Sequence, residues 1–167
     1  DGGAGALKGR NKRMKIAIVG HEKAKFTSEA EEEARYVIRK ILTNESLLSF
    51  FPLALLPGAC HLGGVDIWAE EEAKKLELST IIFPPKSYSW SLGYRPRNIQ
   101  IAKACDRIHV IVVDKYPPDW NGMVFDRCYH CGTSEHVKSG ACWTANYAVH
   151  LQKVAYWHII HNEEKDL

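Results

Sequence analysis

No stretch of this chain stays apolar long enough to cross a bilayer, and its basic leader lacks the apolar core of a secretion signal. A cytoplasmic protein is therefore expected. Excess charge is missing too: 22 Lys and Arg against 20 Asp and Glu leave a net +2. Nucleic acid is thus not the default partner. Internal repeats are absent, which excludes solenoid and propeller architectures. Cysteine is present, but its 5 copies are an odd number without an export signal. They point to reduced thiols or metal ligands rather than a disulfide framework.

What the chain does have is apolar sequence for one full core: 46% of its 167 residues are hydrophobic and 25% charged. Residues 1–13 set Lys8, Arg10, Lys12 and Arg13 among glycines and read as a disordered leader or an expression remnant. Residues 14–162 are expected to form a single domain with an irregular insertion at about 115–139, and 163–167 a tail. Lys15 to Gly20 reads as a buried strand. Ser28 and Glu31 form a capping-box pair, opening a helix whose apolar face is Ala30, Ala34, Val37, Ile38, Ile41 and Leu42. Phe50 and Phe51, in the connector beyond it, read as core. A strand at Leu53–Leu56, a helix at Ile67–Leu76 and a strand at Ser79–Phe83 stopped by two prolines come next. A helix over Arg95–Ala104, a β-branched strand over Ile108–Val113, a helix from about Gly140 to Leu151 and a strand over Val154–Ile160 complete the alternation. Such alternation predicts an α/β fold: a three-layer domain with a mainly parallel sheet flanked by helices.

The segment Pro57-Gly58-Ala59-Cys60-His61-Leu62-Gly63-Gly64-Val65-Asp66 joins a strand to a helix. Glycines there let backbone amides approach a ligand, and the helix start behind them favours an anion such as phosphate. A glycine-bearing turn without a ligand is the plain alternative. Parallel sheets bind ligands beyond the carboxyl ends of their strands. That rule gathers Gly20 and His21, the Gly58–Asp66 segment, the 87–98 loop and the chain after Asp114 on one edge.

Four short motifs in order resemble the SLOG superfamily, which includes the LOG phosphoribohydrolases and the DprA proteins. They are the Gly20 strand end, the Gly58-Ala59-x-x-x-Gly63-Gly64-Val65-Asp66 segment, the Arg97-Asn98 pair, and Ser139-Gly140-Ala141-Cys142-Trp143-Thr144. The similarity is greatest to the small YspA/YpsA-type members. It implies a Rossmann-like fold over roughly residues 15–160 and a nucleotide-derived ligand on the glycine turns. LOG enzymes, however, carry a glutamate in the last motif where this chain has Tyr147. A neutral phenol cannot replace a carboxylate beside an oxocarbenium-like centre, so LOG-type cleavage is not implied.

Individual residues carry competing readings. Arg97 offers a planar fork for phosphate, and Asn98 could fix a ribose hydroxyl or simply a loop carbonyl. Asp66 could cap its helix or act as a general base; Glu70, one turn on, reads first as a solvated face. His21 and His61 are placed for ligand contact or acid–base work, or for loop hydrogen bonds. Trp90, with Tyr88 and Tyr94, could stack on a base or anchor the loop. Ser139, Gly140 and Thr144 offer a second phosphate-binding helix start. Cys128-x-x-Cys131-x-x-x-x-His136-x-x-x-x-x-Cys142 differs by one residue from a zinc-knuckle spacing. Structural zinc would order the insertion; free thiols or a redox pair are the alternatives.

The expectation is therefore a nucleotide-binding protein, a sensor or processing protein. Its ligand lies against Gly20, His21, Gly58, Ala59, Gly63, Gly64, Arg97, Asn98, Ser139, Gly140 and Thr144, with Trp90 over a base. An N-glycosidic hydrolase using Asp66, Glu70 or His61 is the first alternative. Single-stranded nucleic-acid binding through the leader and the cysteines is the second. Kinship makes a homo-dimer or higher oligomer plausible.

Overall fold

A computed structural model describes residues 12–162. The chain runs β1 (Met14–Gly20), α1 (Ser28–Leu48), β2 (Leu53–Pro57), α2 (Val65–Lys75), β3 (Ser79–Thr80), α3 (Arg95–Ala104), β4 (Arg107–Val113), α4 (Gly140–His150) and β5 (Val154–Ile160). All strands are parallel, in the order β3-β2-β1-β4-β5. From β1 the chain winds outward through β2 to β3, then returns to lay β4 against the other side of β1. Strand order therefore reverses between β1 and β4, the place where such sheets open a crevice.

Period-two alternation along the strands builds two cores. Ile16 and Ile18 of β1 face α1 and α2, together with Leu53, Leu55, Ile111 and Val113. Ala17 and Val19 face α3 and α4, with Val110 and Val112. Both faces of the central strands are covered, which is why their sequences are continuously apolar rather than alternating. The last strand is covered unevenly: Trp157 and Ile159 pack toward α4, while Val154 and Tyr156 stay 50% and 45% exposed.

Several boundaries differ from expectation for local reasons. The cap of α1 is Thr27, whose hydroxyl accepts from the Ala30 amide at 3.1 Å; Ser28 is already helical, and Glu31 pairs with Arg35 at 3.6 Å. Thr27 is selected over Ser28 because the Asn162 carboxamide oxygen holds its amide at 3.1 Å. Helix α2 begins at Val65, earlier than the apolar spacing suggests, since the turn at Gly64 supplies its cap. Leu76 is 42% exposed and lies just past its end. The third strand shrinks to two residues; Ile81 still donates to the Leu55 carbonyl at 2.8 Å before the prolines end the pairing. Phe50 is not core. It is fully exposed beyond α1, and Phe51 is half-buried. Lys12 and Arg13 are exposed and precede β1; residues 1–11 and 163–167 of the expected leader and tail lie outside the described residues.

Two acids are buried against partners that the sequence does not reveal. Glu72 on α2 is fully buried, with Arg39 and Lys75 at 3.3 Å and Arg35 at 3.7 Å. Glu45 on α1 accepts from Arg107 of β4 at 2.8 Å, tying the helix to the sheet. Both acids sit at positions the helical period assigns to the interior, where a charge survives only with partners.

Gly64 combines a left-handed φ of +84° with close backbone packing. A Cβ there would run into the His21 carbonyl and the backbone of Glu22 and Lys23. Gly64→Ala is expected to cost about 2–3 kcal/mol or more, from backbone strain and the loss of this approach. Urea unfolding measures it, and a cost below about 0.5 kcal/mol would contradict the packing.

Candidate functional site

His21, the residue after β1, is 2% exposed. Its Nδ1 accepts from the Val113 amide at the end of β4 at 3.0 Å, so Nε2 carries the proton and donates to the Lys138 carbonyl at 3.0 Å. One imidazole thus joins β1, β4 and the segment leading into α4. Burial, reinforced by Lys25, drives its pKa down to about 3, and the ring stays neutral. Both nitrogens are committed to the backbone, which leaves the ring no role as an acid or base.

Beside it lies a cavity of about 240 Å³ over the β1–β4 reversal. Gly20 and His21 form its floor, Gly58 and Asp66 one wall, Arg97 and Asn98 a second, and Ser139, Gly140 and Thr144 of α4 a third; Trp90 stands at the side. Four separated stretches of sequence therefore meet in one crevice. Ala59, Gly63 and Gly64 shape the turn and do not line it. Ala59 and Gly63 hold the left-handed φ values of +51° and +77° that the turn needs. His61 is exposed at the rim, where Nδ1 shares a 2.8 Å hydrogen bond with the Tyr94 hydroxyl and the ring packs 4.8 Å from Tyr88. Glu70 is half-buried on α2 outside the crevice; burial, then Glu71, raises its pKa.

The two helix starts differ. At α2 the positive end is already in use: the Val65 amide donates to the His21 carbonyl at 3.1 Å, and Asp66 places its own carboxylate against Gly58. Any side chain at position 58 would collide with that carboxylate, so the glycine makes room for an internal acid. At α4, Ser139 caps by accepting from the Ala141 amide at 3.2 Å, and Gly140 is exposed with open space where a Cβ would stand. Of the two helix starts, α4 is the one with open space before it, at Gly140.

Asp66 is 7% exposed, and its Oδ1 has no hydrogen-bond partner among the described residues. Burial pushes its pKa up to about 7 against the pull of Arg97 and the Cys60 and Gly20 amides. Arg97 is 6% exposed; it donates to the Gly58 carbonyl and, through Nε, to Asn98 Oδ1 at 2.8 Å. Asn98 therefore orients the guanidinium. Sequence reasoning missed Lys25 and Glu22, paired at 3.5 Å and lining the crevice, and also Cys60. The only signal for Lys25 was a cation in the short turn after β1, where ligand contacts gather.

The insertion meets α4 at a second site. Ligand atoms of Cys128, Cys131, His136 and Cys142 all lie within 4.8 Å of one another and could hold a metal ion. None of the five cysteines is in a disulfide. Gly132, at φ +67°, closes the turn, with its amide on the Cys128 carbonyl at 2.9 Å. Although burial alone would raise the Cys128 thiol, the amides of Ser139, Cys131 and His130 bring it below its usual pKa. Trp157 Nε1 donates to Cys142 Sγ at 3.4 Å. Burial, by contrast, raises the Cys131 and Cys142 thiols. Three cysteine sulfurs with N–H donors beside them and one imidazole are a donor set suited to a four-coordinate soft metal, which would draw off the thiol protons.

Fold and crevice together define a Rossmann-like α/β protein with a cavity at the strand-order reversal. No protein-family profile and no curated sequence matches the chain. Among solved structures, it is similar to the molybdenum cofactor carrier protein MCP from Chlamydomonas reinhardtii. The TM-score is 0.55 at 18% identity, over 87% of this chain and 76% of that one. At that identity the likeness shows the fold.

Two of the buried titratable groups, Asp66 and His21, act on stability in opposite directions. Asp66 keeps its proton up to about 7 when folded but only to its ordinary 3.8 when unfolded, so its contribution is lost as pH rises through about 7. His21, folded at about 3 against an ordinary 6.5, loses its contribution as pH falls through that window. Asp66→Asn should therefore gain stability over the parent on going from about pH 5 to about pH 8, at about 1.4 kcal/mol per unit of displacement. Thermal melts across pH measure this, and parallel profiles for the two proteins would refute it.

Proposed function

We propose that this protein binds a phosphorylated, nucleotide-derived small molecule in the crevice between β1 and β4. The observation that carries this reading is the open start of α4 facing Lys25 and Arg97 across one cavity. Phosphate lies on Ser139, Gly140 and Thr144, with charge from Lys25 and Arg97. Trp90, which packs edge-on at 4.9 Å from Trp143, is available to cover a ring. The likeness to a cofactor carrier supports holding a small-molecule cofactor rather than a polymer. The near-neutral charge gives single-stranded nucleic acid less support.

A hydrolytic reading has one specific support, Asp66. A carboxyl with an unpaired oxygen and a pKa near 7 at a crevice wall has the properties of a general acid. It would protonate the leaving group of an N-glycosidic bond, with no part for His61 or Glu70 at their observed positions. Turnover that persists in Asp66→Asn would eliminate it.

At the Cys128, Cys131, His136 and Cys142 cluster we propose structural zinc. Four protein ligands fill a tetrahedron and leave no open position. Reduced thiols of this kind fit the cytoplasm. Elemental analysis of protein purified without chelators is expected to give one zinc per chain, falling with Cys131→Ser. Absence of zinc and of any other transition metal would reject the site.

Calorimetric titration with AMP, ADP-ribose, NAD and the molybdenum cofactor tests the ligand reading. Binding of at least one is expected. Lys25→Ala and Thr144→Val should each weaken it about 10-fold, the value of a charged or buried hydrogen bond. Binding unaffected by both substitutions would move the phosphate away from α4.

A further inference from the structure

The two sites share a stretch of backbone. His136 and Cys142 belong to the proposed metal cluster, and the six residues from Val137 to Cys142 include Ser139 and Gly140 of the crevice. Each end of this stretch is fastened. The Val137 amide donates to the Val113 carbonyl at 3.0 Å, and the Lys138 carbonyl accepts from His21 at 3.0 Å. The Ser139 amide is turned inward onto Cys128 Sγ. Cys142 Sγ stands 3.5 Å from His136 Nε2, closing the loop on itself through the cluster.

These contacts divide the donors of the α4 start. The Ser139 amide goes to a metal-site sulfur, the Ala141 amide to the Ser139 hydroxyl at 3.2 Å, and the Cys142 amide to the Ser139 carbonyl at 3.1 Å. Gly140 remains at the mouth, with its position set by residues on both sides that face the cluster. The insertion has no helix and only a single isolated bridge, Cys128 with Thr133, and it sends Cys128 and Val137 into the two cores. With so little regular structure, a metal joining Cys128 and Cys131 to His136 and Cys142 would add to its order.

We propose that metal occupancy at the cysteine–histidine cluster sets the affinity of the crevice. With the metal bound, Ser139 and Gly140 are preorganised for an anion; without it, the ligand must order them and binds more weakly. The coupling is reciprocal, so an occupied crevice tightens the metal. This inference rests on both the metal and the crevice readings and adds a dependence that neither contains.

The test uses the full chain, reduced, in zinc-loaded and chelator-stripped forms with metal content measured. Hydrogen exchange followed by mass spectrometry reads the Val137–Cys142 amides, and AMP titration reads the crevice. Removing zinc is expected to speed exchange across that stretch while β1 and β4 stay protected, and to weaken AMP about 5- to 150-fold. Unchanged exchange there, or equal AMP affinity in the two forms, overturns the proposal. Failure of AMP to bind either form refutes AMP as a ligand but leaves the exchange result to decide the coupling. A chain that takes up no zinc overturns it outright. If stripping unfolds the whole domain, seen as lost protection in β1 and β4, His136→Gln keeps the three thiolates and is judged by the same criteria.

Discussion

Everything at the ligand edge of this molecule depends on a neutral imidazole. The chain reverses its direction of winding between β1 and β4, and a reversal leaves a gap in which loops from distant parts of the sequence must be registered. His21 does this by accepting from the Val113 amide and donating to the Lys138 carbonyl. Only a ring with one protonated and one bare nitrogen can satisfy a donor and an acceptor on opposite sides. Protonation would set an N–H against the Val113 N–H, so burial and hydrogen bonding agree on the neutral form.

The dipole of α2 is satisfied within the protein. Asp66 occupies its first turn, Val65 is tied to the His21 carbonyl, and the glycines of the motif serve backbone packing and a side-chain carboxylate. The start of α4 has open space at Gly140 and is reached by a long insertion with a cluster of thiols at its base. An anion and Asp66 at one helix end would repel each other, so the phosphate proposed for α4 would stay clear of the Asp66 carboxylate on α2.

The sequence made the architecture legible because the central strands are largely apolar, Ile16–Val19 and Val110–Val113 without a break, and the helices keep their period; α3 and β5 carry their expected limits unchanged. It also made legible which segments would meet, since sheet topology sends them all to one edge. The failures share a cause. Thr27 rather than Ser28 caps α1 because Asn162, far along the chain, holds its amide. Glu72 and Glu45 are buried because Arg35, Arg39 and Arg107 arrive from other elements. Lys25 faces the crevice through a short turn that periodicity does not describe. Phe50 was read by its chemistry and not by its place beyond the end of a helix, where nothing covers it. Each miss concerns a partner supplied from a distance.

The contact between Gly58 and the Asp66 carboxylate has a bearing on how such motifs are read in other proteins. A glycine that yields space to an acid eight positions later is bound to that acid rather than to any cargo. In an alignment of relatives the two columns would then drift as a couple: wherever the aspartate is lost, larger residues become permissible at the earlier position without harm to whatever the protein holds. A pattern search that scores the glycine alone would count such descendants as having lost a ligand they still bind.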